Sequence, residues 1–368
     1  MRVVVCTIVH HPADARIYHR QIRALLEAGH QVTYIAPAAV EDFPAERTGP
    51  QLQVIGVPRA VGRSRLGALR AARRELARQT PGADLLLVHD PELLLALPPR
   101  RKRPPTVWDV HEDTAAALST KAWLPRPLRP AAAAAVHAAE RLAERRLHLI
   151  LAEQGYVKRF SRPHPVVPNT TYVPQTAPPP DPPGAAQRVL YVGWLSPDRG
   201  VAEMIEVAAL LRPHGIAVEL IGQADKQARA MIESAEAQGL ISWPGFVPND
   251  QAMRNVDGAL AGLSLLQDEP NFRHSLPTKV VEYMARGVPV VTTPLPAATE
   301  LVTRYECGFV VPFGDPRAAA DAVLQLAGDA SLRAKMGSRG HEAARKSLGW
   351  PADARAFVAQ LEAWAKAP

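Results

Sequence analysis

The chain of 368 residues is 47% hydrophobic and 21% charged. This is an ordinary globular composition, and at about 150 residues per domain the length predicts two domains. The apolar runs stay below the ~18 residues that span a bilayer, and the opening run Val3–Val9 is too short for a secretory signal, so we interpret it as a buried strand. Cys6 and Cys307 lie outside any CxxC pattern, so we expect no disulfide and a cytoplasmic location.

The net charge is +7, and much of the excess lies in the segment Arg59–Arg78, where seven arginines stand with Glu75 as the only acid. Two interpretations of this segment stay open. The first is a set of solvated helix faces, and the second is a surface that contacts anionic lipid at the inner membrane face or a phosphorylated acceptor. Nucleic acid is not an expected partner, because the chain has neither a helix-turn-helix signal nor zinc-finger spacing.

The first half of the chain alternates apolar runs with amphipathic segments. One such segment, Ile17–Ala28, predicts a helix that Gly29 terminates. Near-continuous apolar strands between such helices predict a parallel sheet that is covered on both faces. The strands are predicted over Val3–Val9, Val32–Ala36, Leu52–Val57, Leu85–His89, Val107–Val110 and Leu149–Ala152.

A proline-rich stretch from Asn169 to Gln187 interrupts this pattern and predicts a stiff linker. A second alternating series follows, and the last helix carries Phe357, Leu361 and Trp364 at helical spacing. The predicted boundaries are 1–170 for the first domain, 171–187 for the linker, 188–348 for the second domain and 349–368 for the C-terminal helix. The second set of strands is predicted over Val189–Val192, Val218–Ile221, Gly258–Leu265, Val288–Thr292 and Phe309–Val311.

The second domain carries the most informative motif. Lys279 stands three residues before Glu282 in what is predicted to be the first turn of a helix. A helix N-terminus with a cation beside it attracts phosphate, and a carboxylate one turn further can accept hydrogen bonds from a sugar diol. These are the two tasks of a nucleotide-sugar site. The chain has no GxGxxG after a strand, no P-loop, no GxSxG and no metal-ligand spacing, so no bound metal is expected.

A second motif lies at the start of the same domain. The strand Val189–Val192 runs into Gly193, where backbone can approach a ligand closely, and Arg199 follows in the turn before the next helix. Arginine at this place can donate charge-assisted hydrogen bonds to phosphate. Both cations then lie at the carboxyl ends of parallel strands, where α/β sheets bind ligands.

These two segments resemble the donor-site motifs of retaining GT-B glycosyltransferases of family 4, in particular a bacterial subgroup. The resemblance implies two Rossmann-like, doubly wound domains that face each other across a cleft, with the last helix packed back on the first domain. Arg199 and Lys279 would bind the diphosphate and Glu282 the ribose, while Trp194 and His274 stand where the family usually has a cation and a glutamate. The implied donor-binding residues are Gly193, Arg199, Ser275, Thr278, Lys279 and Glu282.

The first domain offers acids and a histidine at the ends of its strands. His111 matches the family histidine beside the donor sugar and acceptor, and with Arg199 and Lys279 it completes the implied catalytic set. The acceptor side is predicted to include Asp14, Arg16, Asp90, Glu112 and Asp113. Structural alternatives stay open: Asp14 capping the first helix and pairing with Arg16, and Glu112 or Asp113 capping the next helix. Packing of Trp243 and Phe246 in a core is the preferred interpretation of that pair.

The resemblance implies transfer of a sugar, with retention and without a required metal or cofactor, from a nucleotide-diphosphate donor to a hydroxyl acceptor. UDP is the most common family nucleotide and GDP the next. The acceptor would be a lipid-linked glycan in cell-surface polysaccharide or glycoconjugate synthesis, with a soluble natural product as the alternative. A nucleotide-sugar epimerase of the same fold and a non-catalytic glycosyltransferase partner subunit remain the competing functions.

Overall fold

The computed structural model describes residues 1–37, 50–111, 113–116, 125–179 and 187–366. Within these residues, twelve strands form two six-stranded sheets, and every strand pair is parallel. The chain divides into two compact units, which we call unit 1 (Met1–Asn169 with Pro351–Pro368) and unit 2 (Thr170–Trp350). Each sheet reverses its strand order once, as in a doubly wound fold.

Unit 1 contains the first sheet, in the order β3-β2-β1-β4-β5-β6. The central strands β1, β4 and β5 are nearly free of solvent contact, because helices cover both faces of a parallel sheet. The edge strand β3 is only partly buried. Four of the strands end one to three residues before the predicted limit, and β2 and β5 end where predicted. They run over Arg2–Cys6 (β1), Gln31–Ala36 (β2), Leu52–Gly56 (β3), Leu85–Val88 (β4), Thr106–Val110 (β5) and His148–Leu151 (β6).

The helices of unit 1 include α1 (Arg23–Glu27), α2 (Arg65–Gln79) and α3 (Arg129–Glu144). The predicted helix Ile17–Ala28 forms, but its first six residues, Ile17–Ile22, make π-helical turns before α1 begins. The C-terminal helix Trp350–Lys366 carries the fully buried Phe357 and Leu361. Its Trp364 stacks on His148, with ring centroids 4.6 Å apart.

Unit 2 contains the second sheet, in the order β12-β11-β10-β7-β8-β9. Separate apolar clusters pack on either side of it. The strands are β7 (Arg188–Val192), β8 (Ala217–Ile221), β9 (Ser242–Gly245), β10 (Ala261–Ser264), β11 (Val290–Thr292) and β12 (Gly308–Val310). The helices are α4 (Val201–Leu211), α5 (Lys226–Ala237), α6 (Asn249–Val256), α7 (Thr278–Ala285), α8 (Pro296–Tyr305), α9 (Pro316–Gly328), α10 (Ala330–Ser347) and α11 (Trp350–Lys366), which runs on into unit 1.

The prediction for Trp243 and Phe246 is right for the first residue and wrong for the second. Trp243 is half-buried against the core and its indole Nε1 donates to the Gly222 carbonyl at 2.9 Å. Phe246 is 44% exposed, because it follows β9, the edge strand, where no further strand covers it. Pro244 is tolerated within β9 for the same reason, since an edge strand leaves one side unpaired.

No helix in the described part of the chain is long and apolar enough to cross a membrane. Cys6 and Cys307 are both free thiols and both buried. Burial raises the pKa of the Cys6 thiol well above its ordinary value and that of Cys307 to about 11. Neither thiol is therefore a ready nucleophile at neutral pH.

Candidate active site

The donor motifs of unit 2 meet at one edge of its sheet. β10, β7 and β8 are neighbours and run parallel, so the loops after them share the carboxyl edge. Helix α7 is attached to this edge by the Tyr283 hydroxyl, which accepts from the Val192 amide and donates to the Leu263 carbonyl, each at 3.1 Å. A side chain at Gly262 would lie 2.3 Å from the Tyr283 ring, so the helix seats closely only because this residue is glycine.

Lys279 lies in the first turn of α7 and is buried. Its Nζ lies 4.7 Å from the centroid of the Tyr191 ring. A Cβ at Gly193 would be 3.6 Å from Lys279 Cε, so the glycine leaves room beside the ammonium group. Gly193 also has φ +139°, which side chains rarely adopt. The structure therefore brings together the predicted donor residues Gly193 and Lys279.

The electrostatics of Lys279 are unusual for a lysine. Burial, and then the charge of Arg199, lower its pKa from 10.5 to about 7, while Glu282 opposes this shift. A second cation thus lies close enough to Lys279 to repel it. An anion placed between Arg199 and Lys279 would relieve both the desolvation and the repulsion.

Arg199 is held by a tight turn. It belongs to the 3₁₀ turn Pro197–Arg199, which ends at Gly200 with φ +80°, and its guanidinium lies 5.6 Å from the centroid of the Phe272 ring. Burial raises the pKa of Tyr191, and the nearby charge of Arg199 lowers it in part. The Tyr191 hydroxyl in turn donates to the Trp194 carbonyl at 2.7 Å.

The remaining predicted donor residues flank Lys279. Glu282 is buried one turn further along α7, Thr278 is the first residue of that helix, and Ser275 precedes it in the loop; the last two are half-buried. Pro277 precedes the helix and supplies no side-chain cap, so the first amide groups of α7 are available to an anion. Trp194 is 42% exposed.

In unit 1, the predicted residues meet at the carboxyl ends of β1, β4 and β5. Asp109 is fully buried, and its two oxygens accept hydrogen bonds from Arg16 Nε at 2.7 Å and from Arg16 Nη2 at 2.6 Å. Burial raises the pKa of Asp109, but Arg16 and then His89 outweigh that effect and hold it well below the ordinary value. Arg16 also donates to the Val167 carbonyl and to Asn169, both at 2.9 Å. Arg16 is therefore a buried structural partner of Asp109, and the alternative in which its guanidinium pairs with Asp14 is wrong.

Asp14 and Asp90 are both engaged by backbone amides. Asp14 accepts from the amides of Arg16 and Ile17 at 2.8 and 2.9 Å, as the capping alternative predicted. Burial raises its pKa, but the charge of His10 and these hydrogen bonds outweigh that effect and leave it below the ordinary value. Asp90 is buried and accepts from Thr7 Oγ1 at 3.0 Å and from the Val9 amide at 3.2 Å.

His111 is half-buried directly after β5. Its Nδ1 lies 3.1 Å from the Asp109 carbonyl and its Nε2 lies 2.8 Å from His10 Nε2. Asp113 is half-buried and accepts from the Ala116 amide at 2.9 Å, in the manner of a helix cap. Glu112 lies outside the described residues.

His89, Asp109 and His111 place ligand atoms within 4.8 Å of one another, a grouping that could in principle hold a metal ion. The Asp109 oxygens, however, already accept from Arg16, from Gln21 at 2.9 Å and from His89 at 3.1 Å. A bound cation would have to displace a guanidinium from its carboxylate. The donor set therefore suits a hydrogen-bonded network better than a metal centre.

Sequence reasoning missed His10, Tyr191 and Tyr283 as members of these sites. His10 carried a usable signal, because it follows β1 as His111 follows β5, and the carboxyl ends of neighbouring parallel strands converge. Tyr191 and Tyr283 gave no such signal, since a buried tyrosine in a strand or helix is ordinary core composition.

Comparison with known proteins covers nearly the whole chain. Residues 15–175 match the family described as Glycosyltransferase Family 4, and residues 177–343 match Glycosyl transferases group 1. The amylovoran biosynthesis glycosyltransferase AmsK of Erwinia amylovora is 28% identical over 38% of this chain and 35% of its own length. The phosphatidyl-myo-inositol mannosyltransferase of Mycobacterium leprae is 28% identical over 45% of this chain and 43% of its own length. The chain thus matches less than half the length of each relative.

Solved structures match over the full chain. Sucrose-phosphate synthase from Thermosynechococcus elongatus superposes with a TM-score of 0.72 and 18% identity, covering 98% of each chain. Anabaena Alr3699/HepE in complex with UDP and glucose gives a TM-score of 0.70 and 16% identity, covering 98% of this chain and 99% of that one. These likenesses show the fold. The fold is that of the two-domain GT-B proteins, and by the two family matches residues 15–175 belong with Glycosyltransferase Family 4 and residues 177–343 with Glycosyl transferases group 1.

Proposed function

We propose that the protein transfers a sugar from a nucleotide-diphosphate donor to a hydroxyl acceptor, with retention of configuration. The observation that carries the proposal is the buried Lys279, whose ammonium lies beside Gly193 and Arg199 at the uncapped start of α7. Such a place binds a diphosphate. Residues 188–348 would be the donor domain and residues 1–170 the acceptor domain.

The leaving diphosphate gains negative charge in the transition state, so a group that stabilises this charge accelerates the reaction. Arg199, Lys279 and the first amides of α7 are those groups in our proposal, and no metal or other cofactor is required. Glu282 would accept hydrogen bonds from the ribose, with Ser275 and Thr278 beside the phosphates. His111 would position the donor sugar rather than act as the base.

UDP is our first choice of nucleotide and GDP the second. Alr3699/HepE, which shares the fold, was solved with UDP and glucose, and that supports the choice of UDP. For the acceptor we propose a lipid-linked glycan in cell-surface polysaccharide synthesis, in line with the name of the Erwinia relative. A soluble natural product is the alternative acceptor.

On the acceptor side, Asp113 and Glu112 are the residues of the predicted set that we retain as contacts to hydroxyl groups. Asp14 and Asp90 are proposed to shape that side indirectly, because backbone amides already occupy their oxygens. Arg16 would affect the acceptor side only by holding Asp109 in place.

A surface of unit 1 supports contact with an anionic membrane. Val61, Leu66 and Leu95 are 59%, 67% and 75% exposed, and the ion pair between Arg65 and Glu92 joins α2 to the turn that carries Leu95. Exposed apolar side chains among arginines suit a bilayer interface, where apolar groups enter the acyl boundary and cations meet lipid phosphates. We therefore propose a cytoplasmic protein that binds the inner membrane face peripherally.

The donor site is tested by thermal unfolding with UDP, GDP, TDP and ADP and their common sugars, without added metal. A ligand at 100 times its dissociation constant stabilises a fold by about 2.7 kcal/mol. We expect one diphosphate to raise the unfolding temperature selectively, and Lys279→Ala, Arg199→Ala and Glu282→Ala each to abolish the shift. Lys335→Ala, at an exposed lysine, is the matched control and should leave the shift unchanged.

The competing functions give different results. A nucleotide-sugar epimerase would convert the bound sugar without any acceptor, which product analysis by NMR detects, and the same spectra report the anomeric configuration of a transfer product. A non-catalytic partner subunit would show no turnover by this chain alone. Absence of a shift with every nucleotide would count against the donor site itself.

Membrane contact is tested by sedimentation with vesicles of phosphatidylglycerol and phosphatidylcholine, compared with phosphatidylcholine alone. We expect binding only to the anionic vesicles. Arg70→Glu should weaken it by roughly fivefold or more, from about 1 kcal/mol per interfacial arginine, and Leu66→Asp should weaken it also. Arg317→Glu, at an exposed arginine in unit 2, is the charge-matched control; an equal loss in both arginine variants would contradict the assignment to this surface.

A further inference from the structure

Two histidines from different strand ends contact each other in unit 1. His10 Nε2 lies 2.8 Å from His111 Nε2, and the ring centroids are 4.6 Å apart. His10 Nε2 also lies 3.3 Å from Asp90 Oδ1. Two ring nitrogens at this distance must share a proton, because two facing lone pairs would repel.

The surroundings decide which nitrogen carries that proton. His111 Nδ1 lies 3.1 Å from the Asp109 carbonyl oxygen, which can only accept, so Nδ1 is the protonated nitrogen of a neutral His111. Its Nε2 is then an acceptor. His10 Nε2 faces both this acceptor and the Asp90 carboxylate, so it is the donor.

The other nitrogen of His10 faces a carboxylate as well. His10 Nδ1 lies 3.9 Å from Asp14 Oδ2, so Asp14 and Asp90 flank the ring from two sides. Carboxylates at these distances favour the cationic form of His10. The geometry therefore suits a charged His10 that donates to a neutral His111.

We propose that His10 is a positioning residue for His111: it donates from Nε2 to His111 Nε2 and so fixes the rotation and the neutral state of the His111 ring. The proposal rests on the proposed function in one respect, namely that His111 contacts the donor sugar. His10 itself need not touch the substrate. Without His10, His111 Nε2 loses this donor and can take a proton.

The hydrogen bond between His10 and His111 depends on pH. A second proton on His111 would put two N–H groups face to face, so the contact breaks at acid pH, and the two protonation steps belong to the pair rather than to either ring. Asp109 contributes little net charge, because Arg16 pairs with it. Among the residues that the structure describes, Asp14, Asp90, His89 and Asp109 face the pair, and Arg16 acts on it through Asp109.

The first test is an NMR titration of protein carrying ¹⁵N-labelled histidine, in the wild type, His10→Gln and His10→Phe. We expect the wild type to show His111 protonated on Nδ1 at neutral pH. Because each variant removes a neighbouring cation, the pH at which His111 titrates should rise in both. An Nε2-protonated His111 in the wild type, or an unmoved titration in both variants, would overturn the proposal.

The second test is the pH dependence of transfer. We expect His10→Phe to lower kcat by a factor on the order of 10², with little change in the donor KM. The acid limb of its pH–rate profile should follow the NMR titration of His111 in the same variant. His10→Gln keeps an amide donor and should recover most of that loss, whereas His214→Phe, at an exposed histidine, should change nothing. A kcat and pH profile of His10→Phe equal to those of the wild type would overturn the positioning role. If the wild type transfers no sugar, that result counts against the proposed function and not against the positioning role of His10, because the NMR titration does not require transfer.

Discussion

Lys279 illustrates how much a single residue of the proposed donor site departs from its behaviour in water. The difference between its ordinary pKa of 10.5 and the folded value of about 7 corresponds to on the order of 5 kcal/mol against the charged form. An anionic ligand that restores the charge recovers part of this energy as binding energy.

This departure predicts an unusual pH dependence of stability. Because the folded pKa lies near 7 and the unfolded one near 10.5, the unfolded chain binds more protons between these values, and the free energy of unfolding rises with pH across that window. Below pH 7 the buried charge destabilises the fold in full. Lys279→Met should therefore raise the free energy of unfolding at pH 6 by about 2–4 kcal/mol and by less at pH 9, as urea denaturation at the two pH values would show.

Lys335→Met is the control for this prediction, since Lys335 is exposed and its removal should have the same small effect at both pH values. An equal gain from Lys279→Met at pH 6 and pH 9 would contradict the assigned cause. The wild-type affinity for a nucleoside diphosphate should also fall as the pH rises above 7, because the neutral lysine no longer attracts phosphate.

The residues whose placement the sequence predicts are those whose position follows from a local spacing. Gly193, Arg199, Lys279 and Glu282 sit at βα turns or in the first turns of a helix, and that local geometry alone places them at the carboxyl edge of the sheet. The partnership of Arg16 with Asp109 joins residues 93 positions apart, and no spacing rule reaches that far. The same holds for His10 and His111.

At the level of elements, the turn between β7 and α4 depends on one close backbone contact. Gly200 has φ +80°, and a Cβ there would lie 2.0 Å from the Leu265 carbonyl oxygen. The loop after β10 is also tied to this turn by the hydrogen bond from the Gln267 amide to the Asp198 carbonyl at 2.9 Å. The position of Arg199 is therefore set by contact between two loops.

Gly200→Ala should lower the free energy of unfolding by about 2–5 kcal/mol, from the left-handed backbone together with the clash, and should weaken nucleotide binding by displacing Arg199. Gly215→Ala separates the two causes. Gly215 has φ +71° with nothing within 4 Å of a Cβ, so only the backbone term, about 1–2 kcal/mol, applies. Urea denaturation of both variants measures the difference, and equal losses would show that the contact with Leu265 is unimportant.

Strands and helices with a strong apolar period were predictable from the sequence. Where the observed elements differ from the predicted ones, the cause is local. Every predicted strand forms within a few residues of its expected limits, because buried parallel strands need near-continuous apolar runs. The edge strand β9 is not among the predicted strand ranges, because Pro244 interrupts its apolar pattern and solvent reaches one side of it. The first helix begins with π-helical turns, where the Asp14 carbonyl accepts from both the Tyr18 and the His19 amides, a detail that hydrophobic periodicity does not encode.

At the scale of the whole molecule, the order in which the chain forms the two units predicts that fragments of unit 1 and unit 2 differ in their ability to fold alone. Unit 2 is continuous from Thr170 to Trp350, and it contains a complete sheet with its apolar clusters. Unit 1 needs the C-terminal segment, because Phe357 and Leu361 are fully buried and Glu362 pairs with His30 at 3.0 Å.

We therefore expect a fragment of residues 170–350 to fold alone, with one cooperative urea transition, and to bind the same nucleoside diphosphate as the full chain with the same loss in Lys279→Ala. A fragment of residues 1–169 should be less stable than the same fragment joined by a short linker to residues 351–366. Burial of Phe357 and Leu361 makes the difference about 3–6 kcal/mol. Equal stability of the two unit 1 fragments would show that the last helix contributes little, and an unfolded 170–350 fragment would show that the donor residues depend on unit 1 for their arrangement.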